Sequence, residues 1–185
     1  MNHELGDPAP AFALPDPAGR IHSLGDFSAG QALLVAFICN HCPFVIHVLD
    51  GLVKFSAEYR TRGLATVAIS ANDVAAYPQD GPAQMAGLAA ARHFSFPYLY
   101  DETQETAKAY GAACTPDFLI YDSTRRLAYH GRFDSSRPRG AAPVTGSDLR
   151  RAADTILAGD QAPRDQIASQ GCSLKWKPGN EPAWA

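Results

Sequence analysis

The chain has 185 residues, enough for one domain with one well-filled core. Hydrophobic residues make up 46% and charged residues 19%, a globular balance that excludes a disordered polypeptide. The formal net charge is -3 and no basic block occurs, which argues against nucleic acid or an anionic membrane as a partner. The opening MNHELGDPAP lacks the basic start and apolar core of a signal peptide. The longest apolar run, Ala32 to Ile38, is too short to span a bilayer. The expected location is cytoplasmic, where paired cysteines are more often catalytic or metal-binding than structural.

No repeat and no linker interrupts the chain, so one domain is expected over 1–185, with an N-terminal extended segment (1–30) and a C-terminal tail (160–185) packed on it. Short extended pieces lie around Phe12 to Leu14 and Arg20 to Leu24, turned by Pro15 to Gly19. Ala32 to Ile38 has the continuous apolar character of a strand buried on both faces. From Pro43 to Arg60 the period becomes helical, with Val45, Leu49, Leu52, Ser56 and Tyr59 on one stripe and Gly63 as a stop. Leu64 to Ile69 is a second buried strand, ending at Ser70-Ala71-Asn72-Asp73. A second helix starts at Pro82, with Met85, Leu88 and Ala89 on its apolar face. Phe96 to Tyr100 is extended, and Asp101 is the expected N-cap of a third helix running to Tyr110 and closed by Gly111. Strands are expected at Asp117 to Tyr121 and Leu127 to Phe133, then a last helix capped by Ser147 and ended by Gly159. The order β-α-β-α-(β)-α-β-β-α predicts an α/β fold, a three-layer α/β/α sandwich with a mixed central sheet.

Four cysteines are present: Cys39, Cys42, Cys114 and Cys172. Cys39-Asn40-His41-Cys42 falls where a buried strand ends and a helix begins. A helix N-terminus carries about half a positive charge and free N–H groups, and both favour thiolate, the nucleophilic form. His41, between the two sulfurs, can add charge or relay a proton. Two plainer readings compete: buried cysteines acting as small hydrophobes, or a zinc site. Zinc ribbons use two C-x-x-C knuckles, whereas Cys114 and Cys172 are isolated, so no metal and no cofactor is expected. A second constellation, Cys114-Thr115-Pro116-Asp117, opens the Phe118-Leu119-Ile120 strand. A proline that cannot donate to the ladder belongs at such an entry.

Several motifs resemble a known group. Gly6-Asp7-Pro8-Ala9-Pro10-Ala11-Phe12-Ala13-Leu14 followed by Gly19-Arg20 resembles the entry segment of peroxiredoxins and thioredoxin-like proteins. The strand–CNHC–helix unit and Thr115-Pro116 resemble the thioredoxin active site and its cis-proline. Cys39 to Phe44, Phe96 to Gln104 and Gly171 to Pro182 resemble a peroxiredoxin-like branch of the thioredoxin superfamily, of the alkyl hydroperoxide reductase/thiol-specific antioxidant type. The resemblance implies a thioredoxin-like fold, a redox-active centre at Cys39 and Cys42, and a cis Thr115–Pro116 bond beside it. There are departures. Asn40-His41 replaces Gly-Pro between the cysteines, with Pro43 just after them, and the preceding Leu33 to Phe37 carries no acid. His41 is therefore the candidate proton acceptor. Peroxiredoxins place a Thr three residues before the peroxidatic Cys and an Arg on a later strand. Here Cys39 holds the Thr position and the Arg position falls near Thr115-Pro116, which leaves Cys42-Pro43 in common.

The leading expectation is a thiol–disulfide oxidoreductase acting on protein or small-molecule disulfides and thiols, recharged by an external electron donor. The first alternative is a thiol peroxidase with Cys42 oxidised and Cys39, Cys114 or Cys172 resolving. The second is a non-enzymatic redox-sensing or zinc-binding module. Exposure in a C-x-x-C turn favours Cys39 as nucleophile and Cys42 as resolver, although Pro43 at the first helical position would make Cys42 the N-cap. Cys114 and Cys172 are auxiliary candidates, while Asn40, Pro43 and Asn72 are supporting ones, Asn72 because it ends a parallel strand at the carboxyl edge. Lys175 and Lys177 flank Trp176 near Cys172 and could lower its pKa, although the plainer and preferred reading is a solvated tail. Arg132, Asp134 and Arg137 read as a surface charge cluster. The histidines outside the CNHC motif show no metal spacing and are taken as structural or exposed.

Overall fold

The computed structural model of the chain describes residues 3–162 and 164–184. Its first element is a hairpin of β1 (Ala13–Pro15) and β2 (Ile21–Ser23). The Asp16 carboxylate closes the turn by accepting the N–H groups of Ala18 and Arg20 at 2.9 and 3.0 Å. Gly19 there has a φ of 84°, which an L side chain rarely adopts.

Next comes the sheet. β3 (Ala32–Phe37) runs into α1 (Pro43–Arg60), β4 (Leu64–Ser70), α2 (Pro82–Ala91) and β5 (Tyr98–Tyr100). After α3 (Glu105–Ala109) and the two-residue β6 (Cys114–Thr115) follow β7 (Asp117–Tyr121), β8 (Leu127–Gly131), α4 (Ser147–Leu157) and β9 (Cys172–Ser173). The five-stranded sheet has the order β5-β4-β3-β7-β8. β3 and β5 flank β4 in parallel, while β7 is antiparallel to both β3 and β8. The sheet is therefore mixed, with β3 at its centre.

Every residue of β3 is buried, because both faces of the sheet are covered. Leu34, Ala36 and Ile38 join α1, Met85 of α2 and the Leu149, Ala152, Ala153 and Ile156 face of α4 in one core. Leu33, Val35 and Phe37 face a second core with Phe12 and Leu14 from the hairpin, Ala107 of α3, Tyr110 and Leu174. Side-chain alternation along one strand thus feeds two layers. The three longer helices share the first; the hairpin and the short α3 build the second.

Two helix starts differ from expectation. The third helix begins at Glu105, with Gln104 as its N-cap at a φ of 64°. Asp101 is instead buried ahead of it and accepts the Ala107 N–H at 2.8 Å. The last helix is capped by Gly146 at a φ of 66°, and Ser147 is its first residue. Asp134 is buried rather than part of a surface cluster: it accepts the N–H groups of Thr145 and Gly146 at 2.7 and 2.6 Å and so holds the entry to α4. The last strand of the sheet stops at Gly131, where Arg132 N–H leaves the ladder and donates to Ile167 O at 3.0 Å. Among the described residues no helix is long and apolar enough to cross a membrane.

The tail crosses the carboxyl edge of the sheet. β9 pairs antiparallel with β6, placing Cys172 opposite Thr115 and Ser173 opposite Cys114. Leu174 N–H then donates to Ala113 O at 3.0 Å, and Lys175 N–H to the Asn72 side chain at 2.9 Å. Trp176 and Trp184 meet edge to face with centroids 6.1 Å apart.

Candidate active site

The CNHC turn sits at the end of the central strand. Cys42 is the N-cap of α1 in an extended conformation, and Pro43 occupies the first turn, where a missing N–H costs nothing. Both sulfurs lie against Thr115: Cys39 Sγ is 3.3 Å from its hydroxyl, and the Cys42 thiol donates to its carbonyl at 3.2 Å. The Thr115–Pro116 bond is cis. Cys39 and Cys42 are 1% and 0% exposed, so the exposure expected of Cys39 is not found: both sulfurs pack against Thr115.

Asp80 holds the turn in place. It is fully buried at the end of a short 3-10 turn, Pro78–Asp80, yet accepts four hydrogen bonds. These come from Asn40 N–H at 2.8 Å, His41 N–H at 3.3 Å, the His41 ring Nδ1 at 2.6 Å and the Asn72 amide at 2.8 Å. A carboxylate so satisfied is tolerable in the interior. With Nδ1–H given to Asp80, the neutral His41 ring keeps Nε2 as an acceptor. The ring stacks on Tyr77 at 5.4 Å with 5° between planes. Asn40 is fixed as well, by its amide to Gln79 O at 2.9 Å and by the Tyr98 hydroxyl at 3.1 Å.

Asp80 is the site residue that sequence reasoning missed. Leu33 to Phe37 indeed carries no acid, but a carboxylate reaches the cysteines from another element. The Cys39 sulfur, a His41 ring nitrogen and an Asp80 oxygen all lie within 4.8 Å of one another. Such a trio could in principle hold a metal, but the Asp80 oxygens are already taken by Asn40, His41 and Asn72, so a cation would have to break that network.

The two thiols differ in acidity. The Cys39 thiol donating to Cys42 does most to pull the Cys42 pKa down; a thiol hydrogen bond from Cys172 and the N–H groups of Val45 and Cys172 add to it against burial. Cys39 is pushed up by that same bond, then by burial and the Asp80 charge. When protonated, Cys42 gives its hydrogen to Thr115 O; the donors converging on the sulfur favour its thiolate. The asymmetry runs against Cys39 as the resting nucleophile.

Cys172 is half-buried and its thiol is pushed up to about 11, by burial first and then by the bond to Cys42. Lys175 opposes this only in part, so the lowering considered for Cys172 does not result. Cys114 is pushed up to about 12 by burial and the Asp117 charge, and its thiol faces Pro116 O at 3.8 Å. Asn72 ties the site to the tail, donating to Asp80 while accepting Lys175 N–H at 2.9 Å. His130 pairs with the buried Asp117 at 2.9 Å, and His47 with Ser136 at 3.0 Å, so both are partnered within the fold.

Comparison with known proteins fits this geometry. A crystal structure of a hypothetical protein from Sinorhizobium meliloti superposes with a TM-score of 0.94 at 47% identity, covering 97% of this chain and 98% of that one. A thioredoxin family thiol:disulfide interchange protein from Chlorobium tepidum has a TM-score of 0.64 at 16% identity over 83% of this chain and 98% of its own, a likeness of fold: the architecture is thioredoxin-like. A putative peroxiredoxin of Mycobacterium tuberculosis is 30% identical over 107 residues, 58% of this chain and 63% of the relative, so the match spans less than two thirds of that protein. The AhpC/TSA family model matches residues 5–130, and the chain belongs to the AhpC/TSA family, in a thioredoxin-like, peroxiredoxin-type branch.

Proposed function

We propose that the chain is a thiol–disulfide oxidoreductase in which Cys39 and Cys42 cycle between dithiol and disulfide. The observation that carries this reading is that one C-x-x-C turn at a helix N-terminus brings both sulfurs onto Thr115, Cys39 Sγ 3.3 Å from its hydroxyl and Cys42 Sγ 3.2 Å from its carbonyl, with Cys42 the more acidic. The Cys42 thiolate attacks one sulfur of a substrate disulfide, forming a mixed disulfide and expelling the other sulfur as thiolate. Cys39 then loses its proton toward the His41–Asp80 pair and attacks Cys42 Sγ. The Cys39–Cys42 bond forms, the second substrate thiolate leaves, and the substrate has gained the two electrons the pair has lost. An external thiol donor reverses the cycle. Substrates are disulfides or thiols, of proteins or small molecules, and a reducing compartment such as the cytoplasm suits a resting dithiol.

A redox titration in glutathione buffers with mass mapping tests this. A Cys39–Cys42-linked peptide should appear as the buffer becomes oxidising, and insulin reduction should require both cysteines. If that linkage never forms, the reading fails.

A second reading is a thiol peroxidase, favoured by Cys42 as an acidic N-cap directly before Pro43. Peroxide consumption by a Cys39→Ser variant, with sulfenic acid trapped on Cys42, would select it.

A further inference from the structure

In a thioredoxin-like site the backbone beside the cis-proline is the edge an extended substrate would meet. Here that edge is already filled. β9 pairs with β6 across it, with Cys172 opposite Thr115. Gly171 lies so close that a Cβ there would come within 2.0 Å of Thr115 O, so only glycine lets the strand seat. The other side of the same Thr115 carbonyl meets Cys42 Sγ at 3.2 Å. Thr115 is thus the meeting point of three cysteines: Cys39 Sγ is 3.3 Å from its hydroxyl, Cys42 Sγ lies on its carbonyl, and Cys172 is its partner across the β6–β9 pair. The difference lies in access. Cys39 and Cys42 are 1% and 0% exposed, whereas Cys172 is half-buried at the rim. A disulfide confined to the CNHC pair would meet an external thiol only when the covering tail opens, whereas Cys172 reaches the rim in the closed chain.

We propose that Cys172 is a third redox cysteine that takes the disulfide from the CNHC pair and presents it at the surface. The proposal builds on the dithiol reading above. The Cys172 thiolate attacks Cys42 Sγ of the Cys39–Cys42 disulfide, the Cys42–Cys172 bond forms, and the Cys39–Cys42 bond breaks. Cys39 leaves as thiolate. The proton given up by Cys172 and the one taken up by Cys39 balance through His41 or solvent. No electrons leave the chain, so no outside oxidant or reductant is needed for this step. An external thiol then attacks Cys172 Sγ at the rim, and a second equivalent returns all three cysteines to thiols with release of the donor's disulfide.

The test is disulfide mapping after acid quench. Cys39→Ser protein treated with micromolar oxidised glutathione should give an intramolecular Cys42–Cys172 linkage exceeding the glutathione adduct at Cys42 by roughly tenfold, since a tethered thiol acts at about millimolar effective concentration. Gly171→Ala in the otherwise unchanged chain should cut that linkage several-fold while Cys39–Cys42 still forms. Partially oxidised unsubstituted protein should carry both linkages, which keeps the test open even if Cys39→Ser folds poorly. A stable glutathione adduct at Cys42, a Cys42–Cys114 linkage in its place, or no Cys42–Cys172 peptide from unsubstituted protein would overturn the proposal. Cys42–Cys172 without any Cys39–Cys42 would overturn both the dithiol reading and the transfer, whereas Cys39–Cys42 without Cys42–Cys172 would overturn the transfer alone.

Discussion

Cys42 and Cys114 lie on the two sides of one short segment, Thr115–Pro116, and they differ in kind. Cys42 exposes less surface than Cys114, yet it is the acidic one; Cys114, which shares β6 with Thr115, is pushed up to about 12. Burial alone would rank them the other way. Donors decide the order. The Cys42 sulfur sits at a helix N-terminus, where the Cys39 and Cys172 thiols and the N–H groups of Val45 and Cys172 favour its thiolate, whereas Cys114 faces the Pro116 carbonyl and the Asp117 charge. Burial raises both thiols, and only Cys42 has donors, the Cys39 thiol first among them, that outweigh it.

The largest expected effect comes from removing the better-served sulfur. Cys42→Ser should cost about three orders of magnitude or more in disulfide reduction, while Cys114→Ser costs little. Equal losses from both would erase the contrast. The next test is titration by alkylation. A lowered pKa keeps Cys42 as thiolate below the ordinary thiol range of about 8.5, so its iodoacetamide labelling should persist at pH 7 and decline only as pH falls further. Cys114 and Cys172 should label appreciably only as pH approaches about 12 and about 11. Peptide-resolved labelling that rises at one common pH for all of them would contradict the donor argument.

A smaller effect is expected at Asp80. Asp80→Asn turns an amide toward donors that need an acceptor, so it should slow closure of the Cys39–Cys42 bond about tenfold and cost roughly 1–3 kcal/mol in urea unfolding. Rescue of the slow step at raised pH, but not of the stability, would mark a positioning and proton-accepting role rather than a structural one. Smallest of all, Gly51→Ala on α1 would bring a Cβ to 3.0 Å from Phe133 and Val144, far along the helix from the sulfurs. About 1 kcal/mol of stability should go with no change in labelling of either thiol. A change in Cys42 labelling there would mean that helix packing, not the local donors, sets its acidity.

Much of this was legible in the chain. The apolar run before Cys39 could only be a doubly covered strand, and Pro43 with Gly63 bracketed the helix, so the placement of the CNHC pair followed from pattern. Asp80 was not legible. It lies in a polar stretch without periodicity, and its role depends on donors from residues 40, 41 and 72 that meet it only in the folded chain. The caps at Gln104 and Gly146 were hidden for a different reason: both take left-handed backbone, while the nearby Asp101 and Ser147 carry the better sequence signal. The burial of Cys39 was hidden because the strand that helps close the site lies more than 130 residues further on, in a segment rich in Pro and Gly.

Gln104 has a kinetic consequence. Its buried side chain donates to Ala71 O and Lys175 O at 2.6 and 2.9 Å and accepts Lys177 N–H at 2.9 Å and the Asn180 amide at 2.8 Å. One amide thus latches the tail to the body through contacts that include no cysteine. Local opening of that latch is a step of its own, with its own free energy. Turnover should therefore saturate at the opening rate when substrate is abundant, and Gln104→Ala should raise the plateau without altering thiol acidity. The clock of the enzyme would then be a hinge-like release rather than the chemistry at Cys42.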